Sequence, residues 1–171
     1  MKILVTGPES TGKSTLSYQL AVCLGGQFVP EAARSYLEGL NRPYTFPDLA
    51  TIWRIQSADE AAAVRTGAAF VVCDTGPEVI RVWSEEKYGR CAPEVLQAVR
   101  ERPYDVRLLC YPDLPWTYDP QREHPDPADR HRLFQRYREL LPSATVIAGN
   151  RRLADALAAV DAYLARPAFA T

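Results

Sequence analysis

The sequence predicts an α/β fold of three layers, in which a five-stranded parallel sheet lies between two layers of helices. Five short runs are apolar almost throughout, as is typical of parallel strands that helices cover on both faces. Longer segments with helical periodicity separate these runs, and such alternation indicates right-handed crossovers. The 171 residues suit a single domain, residues 1–171. The predicted strands are KILVT (2–6), QFVP (27–30), AFVVC (69–73), VRLLCY (106–111) and ATVIA (144–148).

Helical periodicity fills the spaces between the strands. Apolar residues recur every three or four positions after the first strand, before the last strand and after it. The second of these helices has its own start signal, because Asp126 is a typical N-cap residue and Pro127 suits the first helical position. The three apolar faces consist of Leu16, Leu20, Cys23 and Leu24; of Leu133, Phe134, Tyr137, Leu140 and Leu141; and of Leu153, Leu157, Val160 and Leu164.

The turn after the first strand, GPESTGKS at residues 7–14, matches the pattern G-x-x-x-x-G-K-[ST] in full. It stands between a strand and a helix, which is the context in which this loop binds nucleotide phosphate. Backbone N–H groups at the start of the helix favour a phosphate, the catalytic Lys13 bridges two phosphates, and the Ser14 hydroxyl ligates Mg²⁺. We therefore predict a P-loop NTPase fold with strand order 2-3-1-4-5 that binds ATP. The predicted ATP-binding residues of the loop are Gly7, Glu9, Ser10, Thr11, Gly12, Lys13, Ser14 and Thr15.

A carboxylate follows the third predicted strand, and we expect it to hold Mg²⁺. This residue, Asp74, comes after four apolar residues and the cysteine that ends the strand. An alternative role is to cap the next helix, whose first turn would contain Pro77. The residue after Asp74 is Thr75 rather than a water-activating glutamate, which counts against an ATP-hydrolysing motor. The guanine-reading pattern [NT]-K-x-D is missing from the sequence, which excludes the common small GTPases.

The segment VPEAAR after the second strand supplies a candidate general base. Parallel strands end at the same edge of the sheet, so Glu31 is expected beside the phosphate loop, where ligands of α/β sheets bind. A carboxylate there could accept a proton from an attacking hydroxyl, and Arg34 could hold that carboxylate or the phosphate. The alternative is a helix-terminal ion pair between the two residues. Asp74 is the second choice for the base.

Residues 112–130 form a predicted lid. The stretch PDLPWTYDPQREHPDP has five prolines and no apolar period, and long loops of this kind often close over active sites. Arginines in a lid neutralise charge on a transferring phosphoryl group. We expect Arg122, inside the loop, to be catalytic and Arg130, at its closing hinge, to contact ATP. Asn150 follows the last strand, where adenine often packs, and is a further candidate for ATP binding.

Aromatic side chains are the natural platform for a flat heterocycle. Trp116 and Tyr118 stand in the polar, proline-rich lid and are candidates for binding the substrate, as is Tyr36. Trp83 instead shares helical spacing with Val79 and Val82, which favours a place in the core.

Composition narrows the classes of function. The net charge of −1 gives no reason to expect binding to nucleic acid or to an anionic membrane. The four cysteines lack the spacing of a zinc site, and no run approaches the length of about 18 apolar residues needed for a membrane span. We expect a cytoplasmic protein with a small-molecule substrate, and the sequence is compatible with a homo-oligomer.

Several segments together resemble the ribosylnicotinamide kinase domain of the bifunctional NadR-type proteins of NAD biosynthesis. The resemblance runs from residue 2 to about residue 155, and the lid is its most distinctive part. It implies a kinase that transfers the ATP γ-phosphoryl to the 5′-hydroxyl of nicotinamide riboside, with Glu31 and Asp74 near the ribose and Mg²⁺, Arg122 in the lid, and Asp119 on the substrate side. The family usually reads D-T-D where this chain has Asp74-Thr75-Gly76. The matching segments are GPESTGKSTL, VPEAARSYL, CDTG, VWSEEKYG and PDLPWTYDPQRE…PADR.

The sequence is therefore compatible with three functions. The first is a stand-alone, Mg²⁺-dependent kinase of nicotinamide riboside, because counterparts of the adenylyltransferase and DNA-binding parts are missing from this sequence. The second is a kinase of another nucleoside or small hydroxyl metabolite. The third is a nucleotide-sensing regulatory module without turnover of a small molecule.

Overall fold

The computed structural model describes residues 1–101 and 103–166, and in these residues five parallel strands form one sheet in the order β2-β3-β1-β4-β5. The predicted strand order and layers are thereby confirmed. Neighbouring strands pair with Leu4 beside Cys73 on one side and beside Arg107 on the other. The strands are β1 (Lys2–Thr6), β2 (Gln27–Val29), β3 (Val71–Asp74), β4 (Val106–Cys110) and β5 (Thr145–Ile147). The helices are α1 (Lys13–Cys23), α2 (Ala32–Glu38), α3 (Phe46–Arg65), α4 (Pro77–Tyr88), α5 (Pro93–Glu101), α6 (Pro127–Leu140) and α7 (Arg152–Leu164).

The core lies on both faces of the sheet because successive side chains of a strand point to opposite sides. Ile3 and Val5 of β1 belong to a buried cluster with residues of α1 and α7. Leu4, between them, belongs to a cluster on the opposite face, where Ala63 of α3 also packs. All three strand side chains are fully buried. The apolar runs predicted as strands therefore owe their lack of alternation to the two covering layers of helices.

Local chemistry defines several helix starts. The side chain of Asp126 accepts a hydrogen bond from the Ala128 amide and caps α6, as predicted, with Pro127 in the first turn. The long helix α3 begins with a capping box, in which Asp48 accepts hydrogen bonds from the amide of Thr45 at 2.6 Å and from its hydroxyl at 2.7 Å. These starts fix where each helix leaves the sheet edge.

The carboxyl ends of the strands carry the long connections. Between β4 and α6 the chain runs without regular secondary structure over residues 111–126. The last four residues of the predicted lid, 127–130, form the first turn of α6 instead. In the part of the chain that the structure describes, no helix has both the length and the apolar character to cross a bilayer.

Candidate active site

The phosphate loop between β1 and α1 has the backbone of an anion-binding turn. Gly7 and Gly12 have positive φ angles of 139° and 74°, and Ser10 also has a positive φ, of 56°. A Cβ atom at Gly7 would lie 2.6 Å from the carbonyl oxygen of Cys110, so only glycine lets the loop pack against the end of β4. The motif is thus required by the backbone path as well as by the phosphate.

The side chains of the loop are arranged around the Pro8 carbonyl oxygen. Lys13 Nζ donates a hydrogen bond to this oxygen at 2.8 Å, and the buried Thr11 hydroxyl donates another at 2.8 Å. Ser14 and Thr15, at the start of α1, are exposed and line a cleft. The Lys13 ammonium therefore lies at the mouth of the loop. A bound anion would replace the Pro8 carbonyl as its partner and form an ion pair with it.

The cleft above the loop has an empty volume of about 1100 Å³, open solvent at its mouth included. The phosphate loop forms one wall, and the start of α2 with Glu31 and Arg34 forms the second. Helices α4 and α6 form the third, and the lid closes the fourth through residues 121–124. The residues contributed by α4 and α6 are Val79, Val82, Trp83, Glu86, Leu133 and Tyr137.

Asp74 and Ser14 form the part of the site that suits Mg²⁺. Asp74 is the last residue of β3 and is 2% exposed, and the Ser14 hydroxyl donates a hydrogen bond to its carboxylate. Within residues 1–101 and 103–166, Asp74 Oδ1 is buried and has no hydrogen-bond partner. Burial raises the pKa of this carboxyl, and the hydrogen bond from Ser14 opposes that rise. A cation at this point would satisfy the unpaired oxygen and favour the ionised form.

The donor set also fits Mg²⁺ rather than a transition metal. No group of three His, Cys, Asp or Glu side chains that could hold a metal occurs in the described residues. Mg²⁺ is usually bound through one or two protein oxygens together with substrate phosphates and water. Ser14 and Asp74 would supply those protein oxygens. We therefore expect Mg²⁺ to bind together with a nucleotide, whose phosphates would supply further ligands.

Glu31 lies in the same cleft, as the position of β2 predicts. It is the N-cap residue of α2, yet its carboxylate makes no cap hydrogen bond within the described residues and lines the cavity instead. Burial raises the pKa of Glu31, while the charge of Lys13 lowers it and the charge of Asp74 raises it further. A carboxylate with a raised pKa is a better proton acceptor than an exposed one.

Arg34 binds the lid rather than Glu31. Its guanidinium lies 2.9 Å from Asp119 Oδ2 in an ion pair, and its carbonyl accepts a hydrogen bond from Gln121 at 3.2 Å. The alternative of a helix-terminal pair between Glu31 and Arg34 is wrong for this structure, because Arg34 turns toward the lid. Asp119 thus reaches the edge of the cleft indirectly, through Arg34.

The two lid arginines have different surroundings. Arg122 lines the cleft and donates hydrogen bonds to the carbonyl of Thr117 and, at 3.4 Å, to the Ser10 hydroxyl. Arg130 is 4% exposed and donates to the Leu114 carbonyl at 3.0 Å. The structure brings Arg122 to the phosphate loop, whereas Arg130 joins two parts of the lid and is not among the residues that line the cleft. The contact of Arg130 with ATP stays a prediction.

Several other predicted residues lie outside the cleft. The Tyr36 hydroxyl donates to Asp48 at 2.7 Å and supports the start of α3. The Trp116 indole donates to Glu9 at 3.0 Å, and Tyr118, 76% exposed, lies beside it with ring centroids 6.2 Å apart. Asn150 is exposed in the loop between β5 and α7. None of these side chains lines the cavity over the phosphate loop.

Residues that the sequence did not assign to the site complete the cleft. Trp83 was expected in the core, and it does pack there, but its ring also lies 4.8 Å from that of Tyr44, centroid to centroid, with the planes tilted by 59°, and lines the cavity. Glu86 stands one turn further along the same helix. The sequence does contain a signal for these cleft residues. Val79, Val82, Trp83 and Glu86 are spaced three or four positions apart, which places them on one helix face.

Arg152 lies two positions after Asn150, in the segment that follows the last strand. It donates to the Thr11 carbonyl at 3.1 Å and to the Tyr111 carbonyl at 3.1 Å, and it forms an ion pair with Asp113. Its side chain thereby joins the phosphate loop to the ends of β4 and β5. The sequence placed Arg152 after the last strand and could not show that it reaches back to the loop.

The packing around Gly76 explains why this chain departs from the D-T-D pattern at that position. A Cβ atom at this position would lie 2.8 Å from the Tyr104 hydroxyl and 2.9 Å from Leu4 Cδ1. A carboxylate at position 76 therefore has no room in this core. Where the D-T-D pattern has its second acidic residue, this chain has Gly76, around which Tyr104 and Leu4 pack closely.

Comparisons with known proteins agree with this description. A family model described as an AAA domain matches residues 2–147, and no curated protein matches the sequence. A crystal structure of the NadR protein in complex with NR superimposes with a TM-score of 0.79 at 24% identity, covering 97% of this chain and 52% of that chain. A NadR structure in complex with NAD and AMP-PNP gives 0.77 at 23% identity, covering 99% and 51%. Shikimate kinase from Aquifex aeolicus gives 0.56 at 14% identity, covering 96% and 99%.

The chain spans about half the length of the two NadR structures. The superpositions confirm the predicted resemblance to NadR and the P-loop fold. With the family model matching most of its length, the chain belongs to the family of AAA domains, and its fold is the one that NadR and shikimate kinase share.

Proposed function

We propose that the protein is an ATP- and Mg²⁺-dependent kinase of a nucleoside-like metabolite, with nicotinamide riboside as the first acceptor to test. One observation carries this proposal: Lys13 of the phosphate loop, the candidate base Glu31 and the lid residue Arg122 line one cleft, and the buried carboxylate of Asp74 accepts a hydrogen bond from Ser14 in the same lining. The similarity to NadR, whose crystal structures contain NR in one case and NAD with AMP-PNP in the other, supports the same acceptor and donor.

The proposed reaction requires four contributions from the chain. The loop amides and Lys13 hold the β- and γ-phosphates, while Ser14 and Asp74 would hold Mg²⁺, which neutralises phosphate charge when bound. Glu31 accepts the proton of the acceptor hydroxyl as its oxygen bonds to the γ-phosphorus. The bond from that phosphorus to the β-phosphate oxygen breaks, and ADP leaves. Arg122 stabilises the charge on the transferring phosphoryl group.

The acceptor side of the cleft suits a flat ring that carries a positive charge. Trp83 offers an aromatic face to the cleft, while the carboxylates of Glu86 and Glu123 in the same lining are paired with Arg132 and Lys87. Cations are attracted to the face of tryptophan. Nicotinamide riboside contains a pyridinium ring, so the aromatic face supports it over a neutral nucleoside.

The test is an ADP-release assay with Mg²⁺ATP across a panel of nucleosides and small alcohols, nicotinamide riboside included. We expect acceptor-dependent ADP release with nicotinamide riboside, and loss of this activity in Lys13→Ala. Release with another nucleoside only would reassign the acceptor. Tight nucleotide binding without release for any acceptor would refute the kinase and favour a nucleotide-sensing regulatory module.

A further inference from the structure

The side chain of Glu9 connects the phosphate loop to the lid. Its Oε1 accepts hydrogen bonds from the Trp116 indole at 3.0 Å and from the His124 amide at 2.8 Å. Its Oε2 accepts one from the Glu123 amide at 3.0 Å. All three donors lie more than 100 positions away in the sequence. A single carboxylate of the phosphate loop thus holds both ends of the lid segment 116–124.

The contacts of Glu9 tie the middle of the lid to the phosphate loop. Hydrogen bonds to an ionised carboxylate are shorter and about twice as strong as neutral ones. Near the start of the lid, Asp113 pairs with Arg152 and accepts a hydrogen bond from the Gly149 amide at 2.6 Å. The ion pairs further along have exposed members, Arg34 with Asp119 at side-chain exposures of 49% and 16% and Lys87 with Glu123 at 37% and 41%, and water and salt screen such pairs. Glu9 therefore supplies the charge-assisted contacts that dock residues 116–124 on the phosphate loop.

Glu9 also determines where Arg122 lies. The two backbone amides that it binds belong to the residues directly after Arg122. The Arg122 guanidinium lies beside the neighbouring loop residue, Ser10, and a hydrogen bond from the Thr117 amide to the Ser10 hydroxyl, at 3.0 Å, fixes the other flank. Glu9 and Ser10 thus contact the chain on both sides of Arg122.

We infer that Glu9 is a positioning residue, whose carboxylate docks the lid on the phosphate loop and thereby places Arg122 for the transfer. This inference rests on the proposed function in assigning Arg122 to the transferring phosphoryl group. The backbone amide of Glu9 belongs to the phosphate loop, while its side chain serves the lid. One residue thus links phosphate binding to lid closure.

Hydrogen–deuterium exchange tests the docking without any nucleotide. In Glu9→Ala and Glu9→Gln, we expect the amides of Glu123 and His124 to exchange roughly tenfold to a hundredfold faster than in the parent protein. Glutamine keeps one acceptor oxygen but turns an NH₂ group toward a donor, so it should also weaken the docking. The control is Glu94→Gln, which changes an exposed carboxylate paired with Arg54 on the far helices and should leave both amides unchanged. Unaltered exchange in Glu9→Ala would overturn the inference.

A double-mutant cycle tests the link to Arg122. If Glu9 acts through Arg122, Glu9→Ala lowers kcat about tenfold to a hundredfold with KM for ATP changed less than about threefold. In the Arg122→Ala background the same substitution should change kcat by less than about twofold. Equal losses in both backgrounds would overturn the positioning role. If the parent protein transfers phosphoryl to no acceptor, the proposed function fails, and the exchange experiment still decides the docking.

Discussion

The buried carboxyl of Glu78 should make the stability of this protein fall as pH rises. Glu78 is the second residue of α4, is fully buried, and packs beneath the segment that follows Asp74. Burial raises its pKa from 4.5 to about 7, while Arg107 lowers it and Glu60 raises it. The substitution to study is Glu78→Gln, which keeps the shape and mimics the protonated form.

The direction of this pH dependence follows from the pKa of Glu78 in the folded chain and in the unfolded chain. The unfolded chain releases the proton of Glu78 above about pH 4.5, whereas the folded chain retains it up to about pH 7. The unfolded state therefore binds fewer protons in this window, and the free energy of unfolding falls as pH rises through it. At about 1.4 kcal/mol for each pH unit between the two pKa values, the loss totals about 3 kcal/mol.

Urea unfolding followed by circular dichroism at several pH values measures this loss. Between about pH 5 and about pH 8, the unfolding free energy of Glu78→Gln should rise by about 2 to 3 kcal/mol relative to that of the parent protein. The control is Glu139→Gln, an exposed carboxylate of α6 with a side-chain exposure of 64%, which should follow the parent protein. A constant difference between Glu78→Gln and the parent protein across this range would refute the reasoning.

Four further outcomes are expected. Lys13→Ala should abolish phosphoryl transfer yet keep the melting temperature within a few degrees, because the Lys13 ammonium donates its hydrogen bond to the Pro8 carbonyl of the same loop; undiminished turnover would contradict the site. Glu31→Gln should lower kcat by about 10²–10⁴ and remove the acidic limb of the pH profile, which the raised pKa of Glu31 places above the ordinary range of glutamate; an unchanged profile would assign the base to Asp74. Arg122→Ala should reduce kcat more than ATP affinity measured by calorimetry, and equal losses would remove its special role. Asp48→Asn should lower the urea-derived stability by about 2 kcal/mol, because Asp48 accepts hydrogen bonds from Arg42, Tyr36 and Thr45; a loss below about 0.5 kcal/mol would contradict the capping argument.

The fold could be predicted from local signals. Continuous apolar runs, the phosphate-loop pattern and the cap at Asp126 each depend on residues close together in the sequence, and the structure has the expected strand order and the expected start of α6. The positions of Glu31 and Asp74 followed from the topology, because parallel strands deliver their carboxyl ends to one edge.

The roles of lid residues could not be predicted in the same way. The residue type of Arg130 suggested a phosphate contact, but its side chain is buried against the Leu114 carbonyl. Trp116 suggested a stacking platform, but its indole N–H binds Glu9. Both outcomes depend on how the lid folds back, across 16 residues of chain for Arg130 and 107 for Trp116, and neither leaves a periodic or compositional signal in the sequence.

Isotope tracing tests the central claim most directly. The protein is incubated with Mg²⁺ and ATP labelled with ¹⁸O on the γ-phosphoryl group, together with nicotinamide riboside, and the products are separated by mass spectrometry. The account predicts that the labelled phosphoryl group appears on the riboside hydroxyl, in step with ADP. Label found only in inorganic phosphate, with the riboside unchanged, would contradict it.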